Sequence, residues 1–194
     1  MNVNKWGPGG WEFLHSITFN YPLDPIDTDK ENYRIFFKSI ENILPCKYCR
    51  DSYKIYYKYL PIDQFLDSRE GVVYWLYKIH ELINQKIFKE STNSSFENVI
   101  RKYEDIRAKC GKMVRDGDED KIYKTCQSKP TLINKEYLQK FLKKAYTYEP
   151  IINKMIQNLY TSDENPNKEY LEYLTKNKSY ENKTIIYPVI YYKR

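Results

Sequence analysis

Pro45 is the residue that most constrains how this chain can fold. Before it runs an apolar stripe, Tyr33, Phe36, Phe37, Ile40, Ile43 and Leu44, at the three-and-four spacing of one helix face. A proline lacks the backbone donor and disfavours the helical conformation of the residue before it, so that helix must stop here. A second stripe, Tyr53, Tyr56, Tyr57 and Leu60, begins directly afterwards. Cys46 and Cys49 therefore fall in the first turn of a new helix. There the unsatisfied N–H groups and the positive end of the dipole favour a thiolate. Lys47 and Arg50 add positive charge, and a depressed thiol pKa is expected, which suits thiol–disulfide exchange.

Two readings of this C-x-x-C stay open on spacing alone. One is a redox-active disulfide. The other is half of a structural zinc site, which usually needs a second close-spaced pair. The remaining cysteines, Cys110 and Cys126, are far apart, although His15 or His80 could complete a site in principle. The N-terminus lacks the apolar core of a secretory signal, and no stretch approaches the 18 or so apolar residues of a membrane span. Without export, a disulfide in a reducing cytosol is unusual unless catalytic, which adds weight to the redox reading. The charge of +6 is spread along the chain with acidic residues between the lysines. Nucleic-acid binding is thus permitted and not indicated. Tyrosines number 21 against 6 glycines, as expected of a helical protein that buries aromatic stripes and offers rings to a flat ligand.

The same periodicity organises the rest. Lys5 to Gly10 reads as a loop, because Gly-Pro and Gly-Gly are turn signals. A helix is predicted from about Gly10 to Asn20, carrying Trp11, Leu14, His15 and Phe19. Thr28 with Glu31 forms a capping box for a helix over about 29–44, and the next covers about 46–59, stopping before Pro61. Asp67 with Glu70 caps one over about 68–87, whose apolar face is Val72, Val73, Leu76, Ile79, Ile83 and Ile87. Ser94 with Glu97 opens a fifth, bearing Phe96, Val99, Ile100, Tyr103 and Ile106 and ending at Cys110-Gly111. Short connections between amphipathic helices predict a compact all-α bundle over residues 1–112. Residues 113–133 form a polar connection, and residues 134–194 a mostly helical C-terminal extension of open role. In the extension Asn134 caps a helix with Tyr137, Leu138, Phe141, Leu142 and Ala145. Pro150 breaks it before a stripe of Ile151, Ile152, Met155, Ile156 and Leu159. Residues 161–168 read as a linker. The β-prone tail at 184–192 is confined by Pro188 to an edge or extended arm.

Three segments then read together: Trp11-Glu12-Phe13-Leu14-His15, Cys46-Lys47-Tyr48-Cys49, and Trp75 through His80 to Asn84 and Lys86. In order and separation they resemble the Erv/ALR family of FAD-linked sulfhydryl oxidases, whose pattern is W-x-x-L-H, C-x-x-C and W-x-x-x-x-H-N-x-V-N-x-x-L. The resemblance covers about residues 5–110. Tyr103 to Cys110 is similar to the branch from large DNA viruses, which the Asn-, Lys-, Ile- and Tyr-rich composition also fits.

The resemblance implies an FAD-binding four-helix bundle with a short fifth helix, the isoalloxazine lying against the Cys46–Cys49 disulfide. It implies that Trp11, His15, Trp75, His80 and Asn84 bind FAD, with Gly7, Pro8, Tyr21, Lys86, Lys89 and Tyr103 as further candidates. Residue spacing agrees: His80 and Asn84 share a helix face, as do Trp11 and His15. Lys86 and Lys89 could reach a pyrophosphate. Implied too are protein dithiol substrates, oxygen as acceptor, hydrogen peroxide as product and a homodimer through the first two helices. Without a signal or span, the place implied is the cytoplasm of an infected host cell, or the virion. Glu81 departs from the family asparagine, and Pro8 stands where arginine is common. Tyr77 replaces the cysteine of a family staple. Cys110 and Cys126 are expected to form a different, structural disulfide, with an electron-shuttling pair as the alternative. The rival to the whole reading is a zinc-stabilised or disulfide-stapled helical interaction module without catalysis.

Overall fold

The computed structural model describes residues 2–88, 95–108 and 133–177, and every regular element among them is helical. In chain order these are α1 (Val3–Phe19), α2 (Asp27–Ile43), α3 (Lys47–Tyr59), a 3₁₀ turn (Ile62–Phe65), α4 (Arg69–Lys86), α5 (Phe96–Ala108), α6 (Lys135–Tyr146), α7 (Glu149–Tyr160) and α8 (Lys168–Asn177). The all-α expectation and the prolines that end α2 and α3 hold. Cys110, Cys126, Lys89, Ser94 and the tail at 184–192 lie outside the described residues.

The starts of the helices differ from the sequence reading for local reasons. The Asn2 side chain accepts the Asn4 N–H at 3.0 Å, so α1 begins seven residues before Gly10, and Pro8 lies inside it. The indole of Trp6 lies over Gly10, where an added Cβ would sit 3.4 Å from the ring. That packing turns the expected loop into helix. The capping carboxylate of α2 is Asp29, accepting the Ile26 N–H at 3.1 Å, in place of Thr28 and Glu31. Ser68 caps α4 through the Gly71 N–H at 3.1 Å, while Asp67 faces away and pairs with Lys30 at 2.7 Å. Asn134 caps α6 as expected, accepting the Tyr137 N–H at 2.8 Å, and Pro150 sits in the first turn of α7, where its missing donor costs nothing.

The middle of the molecule is α4. Val72, Val73, Tyr74, Trp75, Leu76, Tyr77, Ile79 and Leu82 are all buried, which surrounds the helix with protein on more than the single face its aliphatic stripe suggests. Ile87, read as part of that stripe, lies past the end of the helix and is exposed. Around α4 pack α1, the 3₁₀ turn, α6 and α8, while α2 pairs with α3 and α5 bridges α1 and α6. Gly71 is required where α4 begins: a Cβ there would stand 2.6 Å from the Phe65 carbonyl oxygen and 2.8 Å from the Tyr148 ring.

The C-terminal helices share this core. Phe141 of α6 is buried between Phe19 of α1 and Phe96 of α5, with ring centroids at 6.0 and 6.5 Å, a burial worth roughly 1.5–3 kcal/mol. Tyr77 rests on Phe96 at 4.8 Å, so aromatic packing joins α4 to α5. The segment expected as a linker, 161–168, instead carries a buried polar clamp. Asn167, fully buried, donates to the Leu82 carbonyl at 2.7 Å and accepts from the Tyr56 hydroxyl at 2.5 Å. Its backbone N–H goes to Asn165 at 2.9 Å, and Tyr160 reaches Gln85 at 2.6 Å. Composition hid this, because asparagine is a common turn residue and nothing local marks one that will be buried against a carbonyl.

Candidate functional site

Pro45 leads the chain from α2 into α3, and Cys46 becomes the N-cap residue of α3. Its Sγ accepts the Cys49 N–H at 3.3 Å, so a sulfur takes the place an oxygen usually holds at a helix start. Cys46 and Cys49 form a disulfide with Cα atoms 5.1 Å apart, within the range such bonds adopt. Both cysteines are half-buried. Arg50 reaches back to the Leu44 carbonyl, and Tyr53 donates to the Phe37 carbonyl at 2.9 Å, which pins this turn to α2. Ile43 and Tyr48 flank the disulfide and are 68% and 79% exposed, leaving apolar surface open beside it.

The charges here are unequally paired. Lys47 holds Asp51 at 2.7 Å, which keeps the Asp51 carboxyl below its usual range. Lys86, at the end of α4, donates to Ser52 Oγ on α3, and the Ser52 hydroxyl in turn donates to the Tyr48 carbonyl at 2.8 Å. Burial lowers the Lys86 pKa, while Asp51 and Glu169 pull the other way. Ser52 carries no motif, yet it stands three residues after Cys49 on the same helix face, a spacing legible in the sequence.

A second cluster lies less than two turns earlier on α4, around His80. Trp11 of α1 stacks on His80 with ring centroids 3.8 Å apart and planes 10° from parallel. His15 Nε2 and His80 Nδ1 share a hydrogen bond at 3.1 Å, and Tyr103 of α5 stacks on His15 at 4.9 Å. Beyond them Lys102 lies over the Tyr103 ring at 5.0 Å and pairs with Glu12 at 3.2 Å. His15 is 2% exposed. Burial first, then the neighbouring charges of His80 and Lys102, hold its pKa down at about 3, so the ring is neutral near pH 7. Its Nδ1 is buried without a hydrogen-bond partner. Indole, imidazole and phenol rings with one unspent polar atom are a donor set that suits a flat heteroaromatic ligand.

Of the residues singled out from sequence, Trp11, His15, His80 and Tyr103 come together. Asn84 is buried one turn beyond His80 on α4. Gly7 lies one turn before Trp11 and is buried, and Pro8 beside it is exposed. Trp75 lies elsewhere: fully buried, it donates to the Leu60 carbonyl at 2.8 Å and meets Phe37 edge-on at 5.0 Å. Tyr21 is likewise in the core, donating to the Leu66 carbonyl at 2.7 Å. Lys86 meets Ser52 of α3, three residues after Cys49. From His80 to Lys86 is six residues, about 9 Å along the helix, so one rigid element carries both clusters. Among the described residues no group of three or more His, Cys, Asp or Glu side chains converges as metal ligands would.

A sequence model of the Erv1 / Alr family matches residues 8–104. The chain is similar to a probable FAD-linked sulfhydryl oxidase of Acanthamoeba polyphaga mimivirus, 39% identical over 85 residues, which is 43% of this chain and 59% of that protein. It is similar to the mitochondrial FAD-linked sulfhydryl oxidase ERV1 of Saccharomyces cerevisiae, 27% identical over 95 residues and 49% of each chain. It thus spans less than two thirds of the curated relatives it matches. Among solved structures, the yeast Erv1 core has a TM-score of 0.50 at 25% identity, covering 54% of this chain and 86% of that one. The FAD binding domain of Erv1 from Saccharomyces cerevisiae has the same TM-score at 26% identity, covering 54% and 96%.

Proposed function

The chain belongs to the Erv1 / Alr family, and from that premise we propose that it is an FAD-dependent sulfhydryl oxidase forming disulfides in protein dithiols at Cys46 and Cys49. The observation that carries the reading is the half-buried Cys46–Cys49 disulfide at the start of α3, set beside an α4 that also bears the Trp11–His80 stack. The exposed Ile43 and Tyr48 support a polypeptide as the thiol donor.

In this reading a substrate thiolate attacks Cys46 Sγ, the Cys46–Cys49 bond breaks, and Cys49 leaves as a thiolate. The second substrate thiolate then attacks the substrate sulfur of the mixed disulfide. Substrate leaves as a disulfide and Cys46 is expelled as a thiolate, now favoured by the Cys49 N–H and the helix start that already face its sulfur. Two electrons have passed from the substrate to the cysteine pair. FAD, when bound, supplies the two-electron acceptor that restores the disulfide and returns the electrons to oxygen as hydrogen peroxide. Trp11, His15, His80, Asn84 and Tyr103 are the residues proposed to hold it, the neutral His15 offering its unspent Nδ1. Trp75 and Tyr21 would serve by fixing the bundle, since their polar atoms are committed to backbone carbonyls.

Phe13, Leu23, Ile26 and Ile35 are exposed apolar residues on and between α1 and α2, which supports the homodimer part of the reading; a monomer in sedimentation equilibrium would remove it. No helix among the described residues is long and apolar enough to cross a membrane. The mimivirus relative supports a protein of an infected cell or its virions, which fractionation would test. The main test is the visible absorption spectrum of the purified protein. The expected result is a flavin band bleached by dithiothreitol and restored by air. A protein that stays colourless after incubation with FAD and oxidises no dithiol would sink the reading.

A further inference from the structure

Lys86 stands on the disulfide side of the site, apart from the aromatic cluster. Its ammonium donates to Ser52 Oγ, and Ser52 is three residues after Cys49 on α3. Side chains three apart on a helix are neighbours, roughly 5–6 Å between Cβ atoms. The Ser52 hydroxyl hydrogen is spent on the Tyr48 carbonyl, so Oγ can only accept from Lys86 and holds the ammonium against this face. Among the described residues Lys86 makes no ion pair within 4 Å. Asp51, the nearest carboxylate on α3, is engaged by Lys47, and Glu169 belongs to α8. The Lys86 charge is therefore half-buried, anchored and not cancelled.

We propose that Lys86 is a positioning residue for the redox chemistry: it stabilises the Cys49 thiolate and so makes the Cys46–Cys49 disulfide a stronger oxidant of substrate dithiols. The inference rests on the proposed redox role of that disulfide and gives Lys86 a different task from the pyrophosphate contact its position in the sequence suggests. It also gives each cysteine its own stabiliser. The step that expels Cys49 is favoured by Lys86, and the step that expels Cys46 by the helix start. A disulfide whose reduced form is stabilised in this way is more readily reduced.

The test is the thiol–disulfide equilibrium of the full chain with FAD, without oxygen, in graded mixtures of reduced and oxidised dithiothreitol. Cys46 and Cys49 are read by alkylation and mass, and flavin content by absorbance in the same samples. Lys86→Met and Lys86→Gln are expected to shift the equilibrium about tenfold toward the disulfide, equivalent to about 30 mV, and Lys86→Arg to restore most of it. An unshifted equilibrium in both neutral variants overturns the proposal, whether flavin is kept or lost. Loss of flavin without a shift assigns Lys86 to the cofactor. Circular dichroism checks the fold, and if the methionine variant fails it, the polar, uncharged glutamine variant decides. A wild type that binds no flavin would defeat the oxidase reading, while the effect of Lys86 on the disulfide would still be read.

Discussion

Two stretches of α4, less than two turns apart, are built differently. Around His80 the surroundings are aromatic: Trp11 stacks on His80, and His15, buried and held uncharged, stacks on Tyr103. At the start of α3, where Lys86 donates to Ser52, they are cationic and partly open, with a half-buried disulfide and a tyrosine 79% exposed. A flat, uncharged ring system is best held in the first setting. Thiolates, which must meet another polypeptide and carry charge, are best served in the second. Their joining on one helix lets a rigid element keep two incompatible environments side by side.

The largest effect is expected at the disulfide. Cys49→Ser is expected to abolish dithiol oxidation while FAD remains bound, because only the disulfide end is altered. Turnover retained in that variant, followed by oxygen consumption, would refute the role given to Cys49.

The next effect belongs to the aromatic cluster and depends on pH. The folded pKa of His15, about 3, lies below its unfolded value of 6.5, so the unfolded chain binds the proton more readily. Its contribution is full above pH 6.5 and is lost as pH falls from there toward 3, at a slope of up to about 1.4 kcal/mol per pH unit. Urea unfolding at several pH values should show this loss in the wild type and a flatter profile in His15→Gln. Identical profiles would mean that His15 is not the group responsible.

A smaller effect is expected where the extension clamps the disulfide end. Asn167→Ala removes the 2.7 Å donor to the Leu82 carbonyl and the 2.5 Å acceptor of the Tyr56 hydroxyl, leaving only the 3.5 Å contact between those two groups. A loss of about 1–3 kcal/mol follows from weakening the pairing of these buried polar groups. An unchanged urea midpoint would show that 161–168 does behave as a linker. The outcome matters because Asn167 grips the last two turns of α4, from which Lys86 projects.

Much of the bundle was legible in the sequence because its signals are local. Apolar residues three and four apart describe a helix face, and Pro45 and Pro61 end helices whatever surrounds them. Trp11 with His15, and His80 with Asn84, could be placed on shared faces by spacing alone. Trp75 shows the limit. Its place in the motif groups it with His80, yet five residues turn it far enough round the helix to reach Leu60 and Phe37. The start of α1 was hidden because Gly-Pro and Gly-Gly are read as turns unless an indole is known to cover them.

The sequence alone specified a series of amphipathic helices, a cysteine pair at a helix start and two histidine-bearing faces, since each depends on residues within a turn or two of one another. Only the tertiary structure decided that Tyr103 closes over His15, that Lys86 turns to Ser52, and that Asn167 is buried against Tyr56 and Leu82. Those pairings join residues from 34 to 111 positions apart. They follow from which helices pack together, and no local pattern records that.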